Sequence, residues 1–233
     1  MRLDKFLRAR GISRRQTREL AAAGRILLNG VPAVSAAEDC EEDSLVQIDG
    51  QTVGPAQPLY LMLHKPPGVV TAVRDPERTV MDLLPAEYRE RGLFPVGRLD
   101  KASEGMLLLT NDGELCTRIL SPESHLPKTY WIRVGRPFPP DTEQKFQEGI
   151  RFPNGTLCRP AQITIAPDRQ SATVTITEGK THQVRRMAAA CGVRVQILRR
   201  LSIGGLSMEQ TLEPGQCREL TGAELEQLFS ETE

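Results

Sequence analysis

Residues 97–100 read Gly-Arg-Leu-Asp, entered through Leu93-Phe94-Pro95-Val96 and left through Lys101-Ala102-Ser103-Glu104-Gly105 into the apolar run Met106 to Leu109. A carboxylate therefore stands on a loop just before a buried strand, with Arg98 two residues away. Loops carried on rigid scaffolds are where reactive groups concentrate. A neighbouring cation favours the charged form of a carboxylate, so Asp100 is suited to act as a nucleophile or base. Two further stretches carry reactive types. One is Pro127-Lys128-Thr129-Tyr130. The other runs from Glu178 through Lys180, Thr181, His182, Gln183, Val184, Arg185 and Arg186 to Met187, with a basic tail Leu198-Arg199-Arg200 ending in Ile203-Gly204-Gly205-Leu206.

The elements that must position these residues are readable from periodicity and turn residues. Residues 1–53 form a separate small module. Leu3, Phe6 and Leu7 fit one helix. Ser13 caps a second over 14–23, stopped by Gly24. Asn29-Gly30 and Asp49-Gly50 are hairpin signals flanked by Ile26-Leu27-Leu28, Val31 and Leu45–Ile48. Gly54-Pro55-Ala56-Gln57-Pro58 breaks the pattern and is expected to link the module to a second domain over 59–233. There, strands are expected at 59–63, 69–73, 106–110, 130–134, 161–165, 172–176 and 195–198, and helices at 112–120, 140–148, 181–191 and 221–229. The fold class is α+β: a small N-terminal α/β RNA-binding module, then a domain built on a large, mainly antiparallel mixed sheet.

The balance of 30 basic and 30 acidic residues hides a patterned charge. Residues 1–25 hold eight basic and two acidic residues, and residues 178–200 hold six and one. Residues 26–56 hold six acidic and no basic residues, and residues 209–233 hold seven and one. Two basic islands in a neutral chain suggest two places where a polyanion touches. The five cysteines are dispersed and only three histidines occur, so neither a disulfide framework nor a zinc site is indicated. No apolar stretch approaches a membrane span and no signal segment is visible, which leads to an expected cytoplasmic location. A monomer is the default expectation.

The segments "GRLDKASEGMLLLTNDGEL", "KTY" and "EGKTHQVRRM…LRRLSIGGL" resemble, in order and spacing, the three blocks of the RsuA-type ribosomal RNA pseudouridine synthases. "MRLDKFL…SRRQTRELAAAGRILLNG" is similar to the RNA-binding module those enzymes share with a small-subunit ribosomal protein. The branch acting on 16S ribosomal RNA is the most similar; the 23S enzymes share the same blocks. The resemblance implies cofactor-free isomerisation of one uridine, flipped out of its RNA stack, with no metal and with ribosomal RNA or a pre-ribosomal particle as partner.

By the same resemblance Asp100 is the essential aspartate, attacking sugar or base or removing a sugar proton; these routes stay open. Tyr130 stacks on the uracil and helps remove the carbon-5 proton. Arg185 pairs with Asp100. Arg98 helps extrude the base, and Lys128, Lys180, Gln183, Arg186 and Leu198 line the substrate. Arg2, Lys5, Arg8, Arg14, Arg15, Arg18 and Arg25 are expected to meet RNA phosphates. His182 is expected to serve as a hydrogen-bonding residue at a helix start. The chain departs from the family pattern at His64, where Asn is more usual, and at Ala188, where a bulky aromatic is common. A different class remains in competition: a non-catalytic RNA-binding factor of ribosome assembly.

Overall fold

A computed structural model describes residues 1–54, 58–89, 91–121 and 123–230. The chain divides into two compact units. One comprises residues 1–60 with 84–94 and 109–113; the other comprises 61–83, 95–108 and the chain from 114 onward. Of the expected linker, residues 55–57 lie outside the described residues, as do 231–233 of the acidic C-terminal stretch.

The first unit begins with α1 (Leu3–Arg8) and α2 (Arg14–Ala22). Ser13 starts α2 through a capping box: its hydroxyl accepts from the Gln16 amide at 3.2 Å, and the Gln16 side chain accepts from the Ser13 amide at 2.8 Å. Four short strands follow: β1 (Ile26–Leu28), β2 (Val31–Pro32), β3 (Val46–Ile48) and β4 (Gln51–Thr52), in the order β2-β1-β3-β4. Asn29-Gly30 and Asp49-Gly50 turn the two hairpins with positive φ at all four residues, the backbone that matches the twist of paired strands. Leu3, Phe6, Leu7, Ala21, Ile26 and Val46 close one core between helices and sheet.

The second unit carries a sheet of nine strands: β5 (Tyr60–Lys65), β6 (Phe94–Val96), β7 (Glu104–Thr110), β8 (Lys128–Val134), β9 (Gln162–Ile165), β10 (Ser171–Ile176), β11 (Val195–Ile203), β12 (Leu206–Ser207) and β13 (Cys217–Glu219). The order is β13-β5-β7-β11-β8-β10-β9, with β12 on β11 and β6 on β7. β11 pairs antiparallel with β8 and parallel with β7, so the sheet is mixed and mainly antiparallel. Its helices are α3 (Ala86–Arg89, on the segment belonging to the first unit), α4 (Gly113–Leu120), α5 (Thr142–Glu148), α6 (Gln183–Ala190) and α7 (Gly222–Gln227). Tyr130, Ile132 and Val134 alternate inward from β8, where they join Leu198 of β11 and Val184 and Met187 of α6 in one core. β5 and β7 are apolar and buried almost throughout, as strands covered on both faces are.

The expected strand at 69–73 does not form. The segment bends after Pro66-Pro67-Gly68 and makes a single bridge, Val70 to Thr79. Its polar capacity goes elsewhere: the Thr71 hydroxyl donates to the Leu99 carbonyl at 2.7 Å and lies 3.3 Å from the Leu99 amide. A stretch that alternation assigned to the sheet is thus spent on the loop beside Asp100.

β7 and β11 approach each other closely at Gly105, which pairs with Arg200 and has φ +107°. A methyl group there would stand 2.6 Å from the Arg200 amide nitrogen, against backbone that has no flexible end to move aside. Gly105→Ala is therefore expected to cost about 3 kcal/mol or more, from a backbone conformation unsuited to a side chain and from overpacking. Thermal or urea unfolding reads this directly; a variant as stable as the parent would show that the two strands have room to part.

Candidate active site

The loop between β6 and β7 is gripped at nearly every residue. Leu99 is 5 % exposed and packs in the core containing Tyr130 and Leu198. Its amide and carbonyl both meet Thr71. The Lys101 carbonyl accepts from the Gly68 amide at 2.7 Å, and the Asp100 carbonyl accepts from the Ser103 amide at 2.9 Å. Lys65, the last residue of β5, is fully buried, and its ammonium donates to the carbonyls of Pro66 (3.0 Å), Lys101 (3.4 Å) and Ser103 (2.8 Å). Three donors meet three acceptors, so this ammonium is satisfied without water. Burial pulls its pKa down to about 8, against the upward pull of the Asp100 and Glu104 carboxylates.

The Asp100 carboxylate emerges from this scaffold one-third exposed. Each of its oxygens faces a different nitrogen. Oδ1 lies 3.3 Å from Nε2 of His182, and Oδ2 lies 3.6 Å from Nε of Arg185. The second distance is that of an ion pair rather than a tight hydrogen bond. Arg185 is itself tied down: it donates to the Val195 carbonyl at 3.2 Å and to the buried Ser103 hydroxyl at 3.1 Å. One guanidinium thus links α6, the start of β11 and the Asp100 loop. The adjoining Glu104 is held by Arg199 at 2.6 Å across the parallel β7–β11 pairing.

Tyr130 sits mid-strand on β8, paired with Arg200 of β11, 8 % exposed and clustered with Leu99 and Leu198. Arg200 is buried and donates to the Met106 carbonyl at 2.8 Å. Asp100 and Arg185 therefore meet by direct contact. Tyr130 and Leu198 share the core of Leu99, the residue just before Asp100. Arg98 is exposed, with no ion-pair partner among the described residues.

The other residues expected to line the substrate are largely occupied by the fold. Gln183 is 4 % exposed; its carbonyl oxygen accepts from the Lys180 amide at 2.9 Å, and its amide donates to Glu178 at 2.7 Å. It clamps the loop before α6 instead of presenting a free polar edge. Lys180 pairs with the same Glu178. Arg186 lies over the Phe152 ring at 3.7 Å and donates to Asn154 at 3.1 Å. The Lys128 ammonium donates to the Leu126 carbonyl at 2.8 Å, its pKa lowered by burial and then by nearby Arg200.

His182 stands at the helix start where it was expected. It occupies the position before α6, but its side chain makes no capping bond. Its backbone is left-handed, φ 52° and ψ 31°, and its ring faces Asp100. Lys65, Thr71 and Ser103 also escaped sequence reasoning. The signal available for Lys65 was an ionisable residue closing an apolar strand.

In the first unit Arg2, Lys5, Arg8, Arg14, Arg15, Arg18 and Arg25 are all exposed. Arg2 and Arg14 converge on the buried Asp4 carboxylate at 2.9 and 2.7 Å. Arg15 pairs with Glu19, and Arg25 with Asp49. Lys5, Arg8 and Arg18 have no carboxylate partner among the described residues. An open groove of about 390 Å³ in the same unit is bounded by Ile12, Gln16, Glu19, Leu20, Arg25 and Ile48. Cys40, Cys158 and Cys191 are buried thiols, and the described residues contain no group of three or more His, Cys, Asp or Glu placed to hold a metal ion. No helix among them is long and apolar enough to cross a membrane.

The site thus gathers a partly exposed carboxylate, an imidazole and a guanidinium against its two oxygens, and a tyrosine in the core that holds Leu99. The chain belongs to the RNA pseudouridylate synthase family, whose model matches residues 59–190, and carries an S4 domain over residues 1–46. It is 42 % identical over 231 residues to an uncharacterized RNA pseudouridine synthase of Bacillus subtilis (strain 168), covering 97 % of each chain. It is 37 % identical to the ribosomal small subunit pseudouridine synthase A of Vibrio parahaemolyticus, over 99 % of this chain and all of that one. The corresponding protein of Yersinia pestis is 38 % identical over 97 % of each. A crystal structure of a pseudouridylate synthase matches with a TM-score of 0.72 at 32 % identity, over 98 % of this chain and 99 % of that one.

Lys65 makes a measurable prediction. Its pKa is about 8 when folded against an ordinary 10.5. Between those values the unfolded chain binds the extra proton, so stability attributable to this group rises with pH across that window. Below pH 8 the group is a cost, about 3 kcal/mol at most. Lys65→Met should flatten the rise in unfolding free energy between pH 8 and 10.5. An unchanged profile would show that the ammonium is not desolvated.

Proposed function

We propose that the protein converts one uridine of 16S ribosomal RNA to pseudouridine, with Asp100 as the acting carboxylate and without a cofactor. The net change is an isomerisation. The N1–C1′ bond breaks, the C5–C1′ bond forms, a proton leaves C5, and N1 gains one. Atoms and electrons balance within the nucleoside, so the reaction asks for no oxidant, reductant or co-substrate. It does ask for an anionic group fixed at the reacting centre, positive charge to offset RNA phosphate, and a flat surface for the extruded base.

The observation that carries this reading is the Asp100 carboxylate with His182 on one oxygen and Arg185 on the other, on a chain whose relatives include ribosomal small subunit pseudouridine synthases. Arg185 supplies positive charge at the nucleophile. Tyr130 offers an aromatic face beside Leu198 and, at its hydroxyl, a group to assist loss of the C5 proton. Arg98, exposed and without an ion-pair partner among the described residues, would enter the RNA stack and hold the base out. Residues 1–53 bring the RNA to residues 59–233 through the exposed cations of α1 and α2.

Pseudouridine mapping of ribosomal RNA from cells lacking the protein, complemented with wild type or Asp100→Asn, tests the reading. One small-subunit position should be filled by wild type and left empty by the variant. Identical maps would remove Asp100 from the chemistry and leave the protein as an RNA clamp; a lost position in the large subunit would overturn the substrate. Tyr130→Phe should bind RNA within about two-fold of wild type while turnover falls about a hundred-fold, the range of one proton-transfer group. Full turnover would deny the hydroxyl its part. Arg15→Gln with Arg18→Gln should weaken RNA binding and reduce the slope of log affinity against log salt by about 1.4 for single-stranded contacts. An unchanged slope would mean that this helix face touches no phosphate.

A further inference from the structure

Beyond the four residues just assigned, we infer that His182 is a positioning residue for Asp100: its Nε2 stands against Oδ1 and, with Arg185 at Oδ2, limits rotation of the carboxylate. The inference rests on the reading of Asp100 as the acting carboxylate. Three observations converge on it. The ring nitrogen lies 3.3 Å from Oδ1, on the oxygen Arg185 leaves free. The side chain does not cap α6, the ordinary reason for a polar residue at that position. And the backbone of His182 is left-handed, φ 52°, where glycine would be at ease and most side chains resist. The ring's position against Asp100 gives this left-handed residue a role that glycine could not fill.

The left-handed turn is also what aims the ring. His182 stands between Lys180, whose amide donates to the Gln183 side chain, and the first turn of α6, whose Arg186 amide donates to the His182 carbonyl at 2.9 Å. The loop is therefore closed on both sides of the residue. The direction of its side chain follows from the backbone and not from a flexible search. Arg185 alone constrains Asp100 only weakly, because an ion pair at 3.6 Å leaves the carboxylate free to rotate. A second donor on the other oxygen removes that freedom, and small displacements of a reacting group carry large rate penalties.

The test separates this from a structural role by setting stability and turnover in opposite order. His182→Gly suits the left-handed backbone but removes the donor. His182→Gln keeps an N–H near the place of Nε2 but fits that backbone poorly. Melting temperature is therefore expected to be higher for the Gly variant than for the Gln variant. Single-turnover tritium release from [5-³H]uridine-labelled ribosomal RNA, on the RNA in which mapping locates the product, is expected to show the reverse. The Gly variant should lose about ten-fold or more in rate with KM within about two-fold, and the Gln variant should recover to within about three-fold of wild type. Turnover that follows melting temperature, or equal loss in both variants, overturns the inference. So does a Gly variant as fast as wild type while Asp100→Asn is inactive. An active Asp100→Asn instead sinks the functional reading itself, and the two failures are thereby distinct.

Discussion

A loop that carries a carboxylate to a half-buried position must first satisfy its own backbone. Leu99 and Ser103 are buried on either side of Asp100, and an unpaired buried carbonyl or amide is costly. Lys65 answers most of this. Its buried ammonium takes the carbonyls of Lys101 and Ser103 on one side of the loop and Pro66 on its own. Thr71 serves both backbone groups of Leu99, and Gly68 closes on Lys101. With the backbone paired, the Asp100 side chain is the group left over, and it is this remainder that faces His182 and Arg185.

The charges around the loop follow from the same constraint. A buried ammonium is tolerated only with acceptors around it and anions near it. Asp100 and Glu104 supply the anions. Arg199 and Arg185 then offset those carboxylates, at 2.6 Å and 3.6 Å. Cation, carboxylate and cation alternate from the sheet interior outward. The innermost cation, Lys65, holds the loop in shape. Gly105 is the geometric condition for the arrangement: only without a side chain can β7 lie close enough to β11 for Arg199 to reach Glu104.

What could be read in advance divides along the reach of the interactions involved. The two hairpins and the start of α2 depend on residues two or three apart, and Asn29-Gly30, Asp49-Gly50 and Ser13 with Gln16 declared them. Strands β8, β10 and β11 show their alternation openly. The segment 69–73 misled because its β-branched residues look like a strand, whereas Thr71 is claimed by Leu99, 28 positions away. Strand β13 is three residues long and polar, and only its pairing with β5 makes it a strand. At the site, Asp100 and Arg185 were visible through the order and spacing of the blocks that carry them. Lys65 was not, because its role is defined by carbonyls, and carbonyls have no letter in a sequence.

His182 and Gln183 show the same limit at the scale of two residues. A polar pair opening a helix suggests a cap and a substrate contact, in that order. In the fold Gln183 turns back to hold Lys180 and Glu178, and the residue before it stands in a left-handed turn. A left-handed residue projects its side chain away from the helix it precedes, so His182 leaves the cap and meets the Asp100 loop. The buried clamp and the exposed ring are two consequences of one backbone reversal. The clamp ends on the Glu178 carboxylate, which burial pushes up but which Lys180, the Arg159 amide and Gln183 together hold below its ordinary pKa.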